Sequence, residues 1–168
     1  RAPMHRHWWL NDPDCLLVRP DTKLTLPEVQ TLASAIALTG GSLLVSDDLP
    51  RLPADRRRIA EVLLPAIGER AWVLDWLDAE TPARLRVDLG GPGGAWHLLG
   101  WFNWGDSPTL FNWQPEAYQL PPGTYWLRSF WDGGVIQAPA GEPPIFPAVP
   151  PHGALVLAVR PVTGAPQY

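Results

Sequence analysis

Trp8-Trp9-Leu10-Asn11-Asp12-Pro13-Asp14-Cys15-Leu16-Leu17-Val18-Arg19 sets an aromatic run against five positions holding an amide, two carboxylates, a proline and a cysteine. His5-Arg6-His7 precedes it. Period-two alternation over residues 5 to 11 predicts a strand with His5, His7, Trp9 and Asn11 on one face, and Arg6, Trp8 and Leu10 on the other. Pro13 biases Asp12 toward an extended conformation. The chain is therefore expected to turn at the strand's end and aim Asp14 away from the strand face. Leu16-Leu17-Val18 is an apolar patch suited to packing beneath that loop.

The same form returns about thirty residues later, in Gly40-Gly41-Ser42-Leu43-Leu44-Val45-Ser46-Asp47-Asp48-Leu49. Residues 42 to 46 predict a continuous apolar strand, as in a parallel sheet covered on both faces. Between the two lies a helix. Thr25-Leu26-Pro27-Glu28 fits a capping box, and Pro27 is tolerated in a first turn, where its missing N–H has no partner to lose. Val29, Leu32, Ala33 and Ile36 fall on one face, and alanines at 33, 35 and 37 suit close packing on a sheet. Gly40-Gly41 supplies the stop. The expected order is strand, helix, strand, with acids at matching ends of both strands, where parallel barrels present their chemistry. A second helix is expected from Pro53, with Ile59, Val62, Leu63, Ala66 and Ile67 as its buried stripe and Gly68 as its end. Arg56-Arg57-Arg58 reads as its solvated face.

The 168 residues suit one or two domains. Ten tryptophans and 21 prolines stand out. Indoles serve bulky β cores and also stack on the C–H faces of sugars. The net charge of −4, without blocks of like charge, argues against nucleic acid or an anionic membrane surface as partner. No run of eighteen apolar residues predicts a membrane-spanning helix. The single cysteine excludes an internal disulfide and a cysteine zinc site. The chain starts at Arg1, almost inside the first predicted strand, so residue 1 is not expected to be the biological N-terminus; no signal peptide is visible.

A boundary is expected near residues 68 to 83. Beyond it, helical periodicity gives way to short β-like runs at 84–89, 96–103, 124–132 and 154–160. They are separated by Gly90-Gly91-Pro92-Gly93-Gly94, Leu120-Pro121-Pro122-Gly123 and Val149-Pro150-Pro151-His152-Gly153. Short strands between such turns predict an antiparallel sandwich.

Taken together, Asn11-Asp12-Pro13-Asp14 and Ser46-Asp47-Asp48-Leu49 resemble the last barrel strands of α-galactosidases (melibiases). The resemblance covers residues 5 to 67, and the remainder by architecture, through turns such as Phe102-Asn103-Trp104-Gly105-Asp106, Phe130-Trp131-Asp132-Gly133 and Pro151-His152-Gly153. It implies an α/β plus all-β fold: the last two βα units of a TIM (β/α)8 barrel over 1–70, followed by a C-terminal antiparallel β-sandwich over 71–168.

The resemblance also implies retaining hydrolysis of terminal α-D-galactosides by two carboxyl groups about 5–5.5 Å apart. In that family the pair sits on the fourth and sixth strands, which would precede Arg1, so no catalytic residue is assigned to this chain. Asp14 would support the site by orienting a sugar hydroxyl or a catalytic neighbour; the alternative is a carboxylate satisfying loop amides. Asp12 and Asn11 would anchor the turn. Cys15 stands where the family has a Met or other soft residue, and would be an apolar filler at the pocket edge. Asp47 and Asp48 would lie at the barrel mouth beside the tetrapeptide, with Asp48 holding the active-site floor, or else serve as loop and cap residues.

No cofactor is implied. The acids and histidines match no metal-ligand spacing. The expected partner is a carbohydrate, an α-galactoside, with neither nucleic acid nor membrane involved. His5 and His7 are expected as a hydrogen-bonded core pair, and His97 and His152 in packing or turn roles. Trp101, Phe102, Trp104 and Trp113 form either a sugar platform or a sandwich core. Two rivals stand beside this reading. One is an α-glycosidase or transglycosidase of different sugar specificity; the other is a glycan-binding or structural β-sandwich module without catalysis. Two barrel strands alone would leave sheet edges uncovered, so the isolated chain is expected to be inactive and poorly soluble.

Overall fold

A computed structural model describes residues 2–164. After a 3-10 turn at Ala2–Met4, the chain coils instead of extending. The His7 and Trp8 amides both donate to the Met4 carbonyl at 3.1 Å, and the Arg6 amide donates to the Trp9 carbonyl at 2.7 Å. Arg6 adopts φ 61°, in the left-handed region. The strand expected over 5 to 11 is therefore not formed. Its alternation fails because a left-handed residue and two turn hydrogen bonds reverse the chain: His5 is buried while His7 is exposed.

The first strand, β1 (Cys15–Leu16), begins only after the tetrapeptide. Helix α1 (Leu26–Leu38) forms as expected, with Thr25 at its N-cap and both capping-box bonds to Glu28 present. Strand β2 (Leu44–Val45) pairs parallel to β1, Cys15 opposite Leu44 and Leu16 opposite Val45. The expected five-residue strand is thus cut to two, and Leu44 is 56% exposed where burial on both faces was expected. Below the pair, Leu16, Val18, Val29, Ala33 and Ile36 form a core with residues of helix α2 (Ala54–Glu61). That helix stops earlier than its apolar stripe suggests. Pro65 has no N–H to continue the ladder and disfavours helical geometry at Leu64, so Val62 caps the helix and Leu64 is exposed.

The remaining strands are β3 (Trp72–Val73), β4 (Arg84–Leu89), β5 (Trp96–Phe102), β6 (Tyr125–Ser129), β7 (Val135–Ala138) and β8 (Ala154–Pro161). They make one six-stranded antiparallel sheet in the order β3-β4-β5-β8-β6-β7. Alternation divides its residues between two cores. Leu98, Val87 and Val156 face Leu38 of α1 and Ala71. Leu99, Leu127 and Leu157 face Phe111, Trp113 and Tyr118. The second layer of the expected sandwich is irregular chain, tied by isolated bridges between Thr109 and Val149 and between Asn112 and Ile145.

Helix α1 lies close on the first face. A Cβ at Gly100 would come within 2.5 Å of Leu38 Cδ1, so the glycine in β5 admits the helix. The Trp131 indole donates to Ser34 Oγ at 3.0 Å and fastens the β6–β7 turn to α1.

Candidate functional site: the tetrapeptide loop

Asn11 organises the loop. It is buried, and its amide donates to His5 Nδ1 at 2.9 Å. Its side-chain nitrogen donates to the Thr39 carbonyl at 3.4 Å, just past α1, and its Oδ1 accepts from Trp9 Nε1 at 3.0 Å. Its carbonyl accepts from the Ser42 amide at 2.9 Å. That last bond needs Gly41, where a Cβ would fall 2.2 Å from the Asn11 oxygen. His5 is fully enclosed, and burial, reinforced by the Arg6 charge, lowers its pKa from 6.5. A neutral ring is what the bond requires, because Nδ1 must accept.

Asp12 and Asp14 are exposed. Asp12 Oδ1 accepts from the Asp14 amide at 3.3 Å, and Asp14 Oδ1 from the Cys15 amide at 2.7 Å. Asp14 holds φ 69°, a left-handed conformation that aspartate tolerates better than most residues. Both acids, with Trp9, Asn11, Pro13 and Thr39, line an open hollow of about 840 Å³. Cys15, half-buried on β1, adjoins the loop.

The second acidic motif is elsewhere. Asp47 has a side chain only 1% exposed. Its Oδ2 accepts from the Val18 and Arg19 amides, and its Oδ1 meets Arg19 Nη1 at 3.2 Å. Asp48 is exposed, pairs with Arg51 at 3.4 Å and makes no side-chain cap bond. The geometry corrects two expectations. Of the two acids, Asp47 is the buried anchor and Asp48 is not. The motifs also do not share an end: because β1 starts after the tetrapeptide, Asn11–Asp14 lie at the N-terminal end of the parallel pair and Asp47-Asp48 at its C-terminal end.

His97 bonds Asp88 at 2.7 Å and His152 bonds Asp106 at 3.0 Å. Phe102 and Trp113 are buried, and Trp101 packs on Phe111 at 5.7 Å. Trp104, 42% exposed, stacks on Phe102 at 5.1 Å and 4°. The quartet is core with one ring at its rim. Among the described residues no group of three His, Cys, Asp or Glu is placed to hold a metal ion. No helix among them is long and apolar enough to cross a membrane. Two residues central to the loop, Trp9 and His5, carried no signal beyond their residue type; His5 was expected to pair with His7, not with a backbone amide.

No family model matches the sequence. In solved structures the fold recurs. The chain matches α-galactosidase I from Mortierella vinacea with a TM-score of 0.71 and 14% identity, covering 94% of this chain and 41% of that one. It matches a GH27 β-L-arabinopyranosidase from Geobacillus stearothermophilus at 0.75 and 13%, covering 98% and 40%. A putative α-N-acetylgalactosaminidase from Bacillus halodurans C-125 follows at 0.64 and 18%, covering 84% and 32%. The chain therefore spans well under half the length of these structures. It has the fold of part of an α-galactosidase-like glycoside hydrolase, and its six-stranded sheet matches the C-terminal β-sandwich of the GH27 enzymes.

Proposed function

We propose that the chain is the C-terminal portion of a retaining glycoside hydrolase acting on terminal α-D-galactosides. Residues 1–70 would supply the last two βα units of a TIM barrel, and residues 71–168 the β-sandwich. The observation that supports this most is the joint presence of a parallel β1-α1-β2 unit and the six-stranded sheet, in a fold shared over nearly the whole chain with glycosidases. The nucleophile and the acid/base would come from strands preceding this chain, one carboxylate attacking the anomeric carbon and the other protonating the leaving oxygen.

In that mechanism this chain contributes positioning. Asp14, turned outward by its left-handed backbone, accepts a sugar hydroxyl or steadies a catalytic neighbour. Asp12 and Asn11 fix its loop, and Cys15 fills the edge. Asp47 clamps the exit of β1, leaving Asp48 a surface role. The partner is a carbohydrate. The fold is also shared with enzymes named for arabinopyranosides and N-acetylgalactosaminides, which favours keeping those sugars in the test.

The full reading frame should be expressed and assayed on chromogenic α-galactoside, α-N-acetylgalactosaminide and β-L-arabinopyranoside substrates. α-Galactoside turnover is expected. Asp14→Asn should lower kcat/KM about 10- to 100-fold, the worth of one hydrogen bond to a charged acceptor. A full-length protein inactive on all three, or a 168-residue chain active alone, overturns the proposal.

A further inference from the structure

Between the chain leaving α2 and the first face of the sheet lies a groove of about 790 Å³. Leu64, Ala66, Leu98 and Phe130 make it apolar, and Leu64 and Phe130 are open to water. Its lining also carries two exposed arginines, Arg58 from α2 and Arg128 from β6. Among the described residues neither guanidinium has a hydrogen bond or an ion pair. The acid in the lining, Glu61, is taken up by Arg57 at 3.1 Å. In a chain of net charge −4, this groove therefore holds a local surplus of positive charge.

The loop between β3 and β4 has the opposite character. Leu77 is 93% exposed, and Asp78 and Glu80 beside it are exposed, with side chains unpaired among the described residues. Yet the loop is held firmly. The buried Asp75 closes its base, accepting the Ala83 amide at 2.9 Å and the Arg84 amide at 3.1 Å. The Asp78 amide donates back to the Asp75 carbonyl at 3.1 Å, and the Trp104 indole donates to the Pro82 carbonyl at 2.9 Å. A leucine held out in water contributes nothing to the fold's own burial. Because its loop is already ordered, it loses little entropy on entering an apolar groove.

The geometry points to a head-to-tail contact between two copies of this chain, in which Leu77 of one copy enters the groove of the other and Asp78 and Glu80 face Arg58 and Arg128. Groove and loop share no residue, so the contact is heterologous and leaves one groove and one loop free in each pair. One leucine and a few rim ion pairs make a small interface, which is weak and sensitive to salt. The contact goes beyond the hydrolase reading and does not depend on it.

Sedimentation velocity of the full-length protein tests it. The wild type should self-associate with a Kd on the order of 100 μM, and more weakly at high salt. Leu77→Ser and Arg128→Glu should each weaken that association at least roughly tenfold. Both positions are exposed, and thermal melts check that the variants fold. The decisive sample is the mixture of the two. Leu77→Ser keeps a working groove and Arg128→Glu a working loop, so mixing them should restore association and stop it at a one-to-one pair. A wild type that stays monomeric at several times the expected Kd overturns the proposal, as would follow if a preceding segment of the chain covered the groove. Association undiminished in either variant, or a mixture that associates no better than its parts, overturns it as well.

Discussion

Replacing Asp47 tests whether its carboxylate holds β1 against β2. Oδ2 accepts the Val18 and Arg19 amides, and Oδ1 faces the Arg19 guanidinium. Val18 is fully buried, so its N–H has no water to turn to. Hydrogen bonds to a charged acceptor are worth about 1.5–3 kcal/mol each, and the loss leaves a desolvated donor behind. The ion pair adds about 1 kcal/mol at most, because the Arg19 side chain is 45% exposed. Asp47→Ala should therefore cost about 3–5 kcal/mol locally. Asp47→Asn keeps an oxygen for the amides but loses the charge, and should cost about 1–2 kcal/mol. Arg19→Gln should cost no more than about 1 kcal/mol. Hydrogen exchange of a peptide covering residues 16–20 reads the effect directly, since each 1.4 kcal/mol speeds opening-limited exchange about tenfold. The expected order is Ala, Asn, then Arg19→Gln, with at least about a hundredfold acceleration for Ala. Unchanged protection in Asp47→Ala, or an Arg19→Gln effect as large, would refute the argument that the two amides carry the clamp.

Gly41→Ala should destabilise the protein by about 2–3 kcal/mol, seen as a lowered Tm, because its Cβ would collide with the Asn11 carbonyl and displace the Ser42 bond. His5 sets a pH dependence. Its pKa is lowered in the fold, so the unfolded chain binds the proton more readily. Its contribution is fully present above the unfolded value near 6.5 and falls away as pH drops below it. Urea midpoints measured from pH 7.5 to 5 should decline, and His5→Gln, whose carbonyl can still accept from Asn11, should flatten that decline. Trp113→Ala should cost about 3–5 kcal/mol in the β core and Trp104→Ala about 1 kcal/mol, by chemical denaturation. Loss of glycan binding without loss of stability in Trp104→Ala would instead favour a glycan-binding sandwich.

What was legible in the sequence was whatever local chemistry specifies. Thr25 and Glu28 cap α1 because both partners of the box lie within one turn. The strand from Trp96 is set off by the glycine-rich loop over 90–94, and the strand from Arg84, Arg-Leu-Arg-Val-Asp-Leu, alternates over six residues, long enough for a period to register. β3 is too short to show one, and β7 hides its own because three of its four residues are exposed, leaving no burial contrast.

The site failed for a different reason. Alternation from His5 to Asn11 has the right period, yet Arg6 turns left-handed, and nothing in an arginine announces that. Asp14 does the same eight residues later, and between them these two positions move the start of β1 past the tetrapeptide. The pairing of β1 with β2 is then set by contacts made only in three dimensions: Asn11 to Ser42 at one end and Asp47 to Val18 at the other. A parallel pair must place its first partner contact at one end and its last at the other. Two acidic motifs anchored at those two contacts cannot share a mouth, whatever their likeness in sequence. The hollow beside Asp14 is consequently walled by Trp9 and Thr39 and not by the second acid pair. Asp47 therefore acts on that hollow only at a distance, by keeping the strands in register.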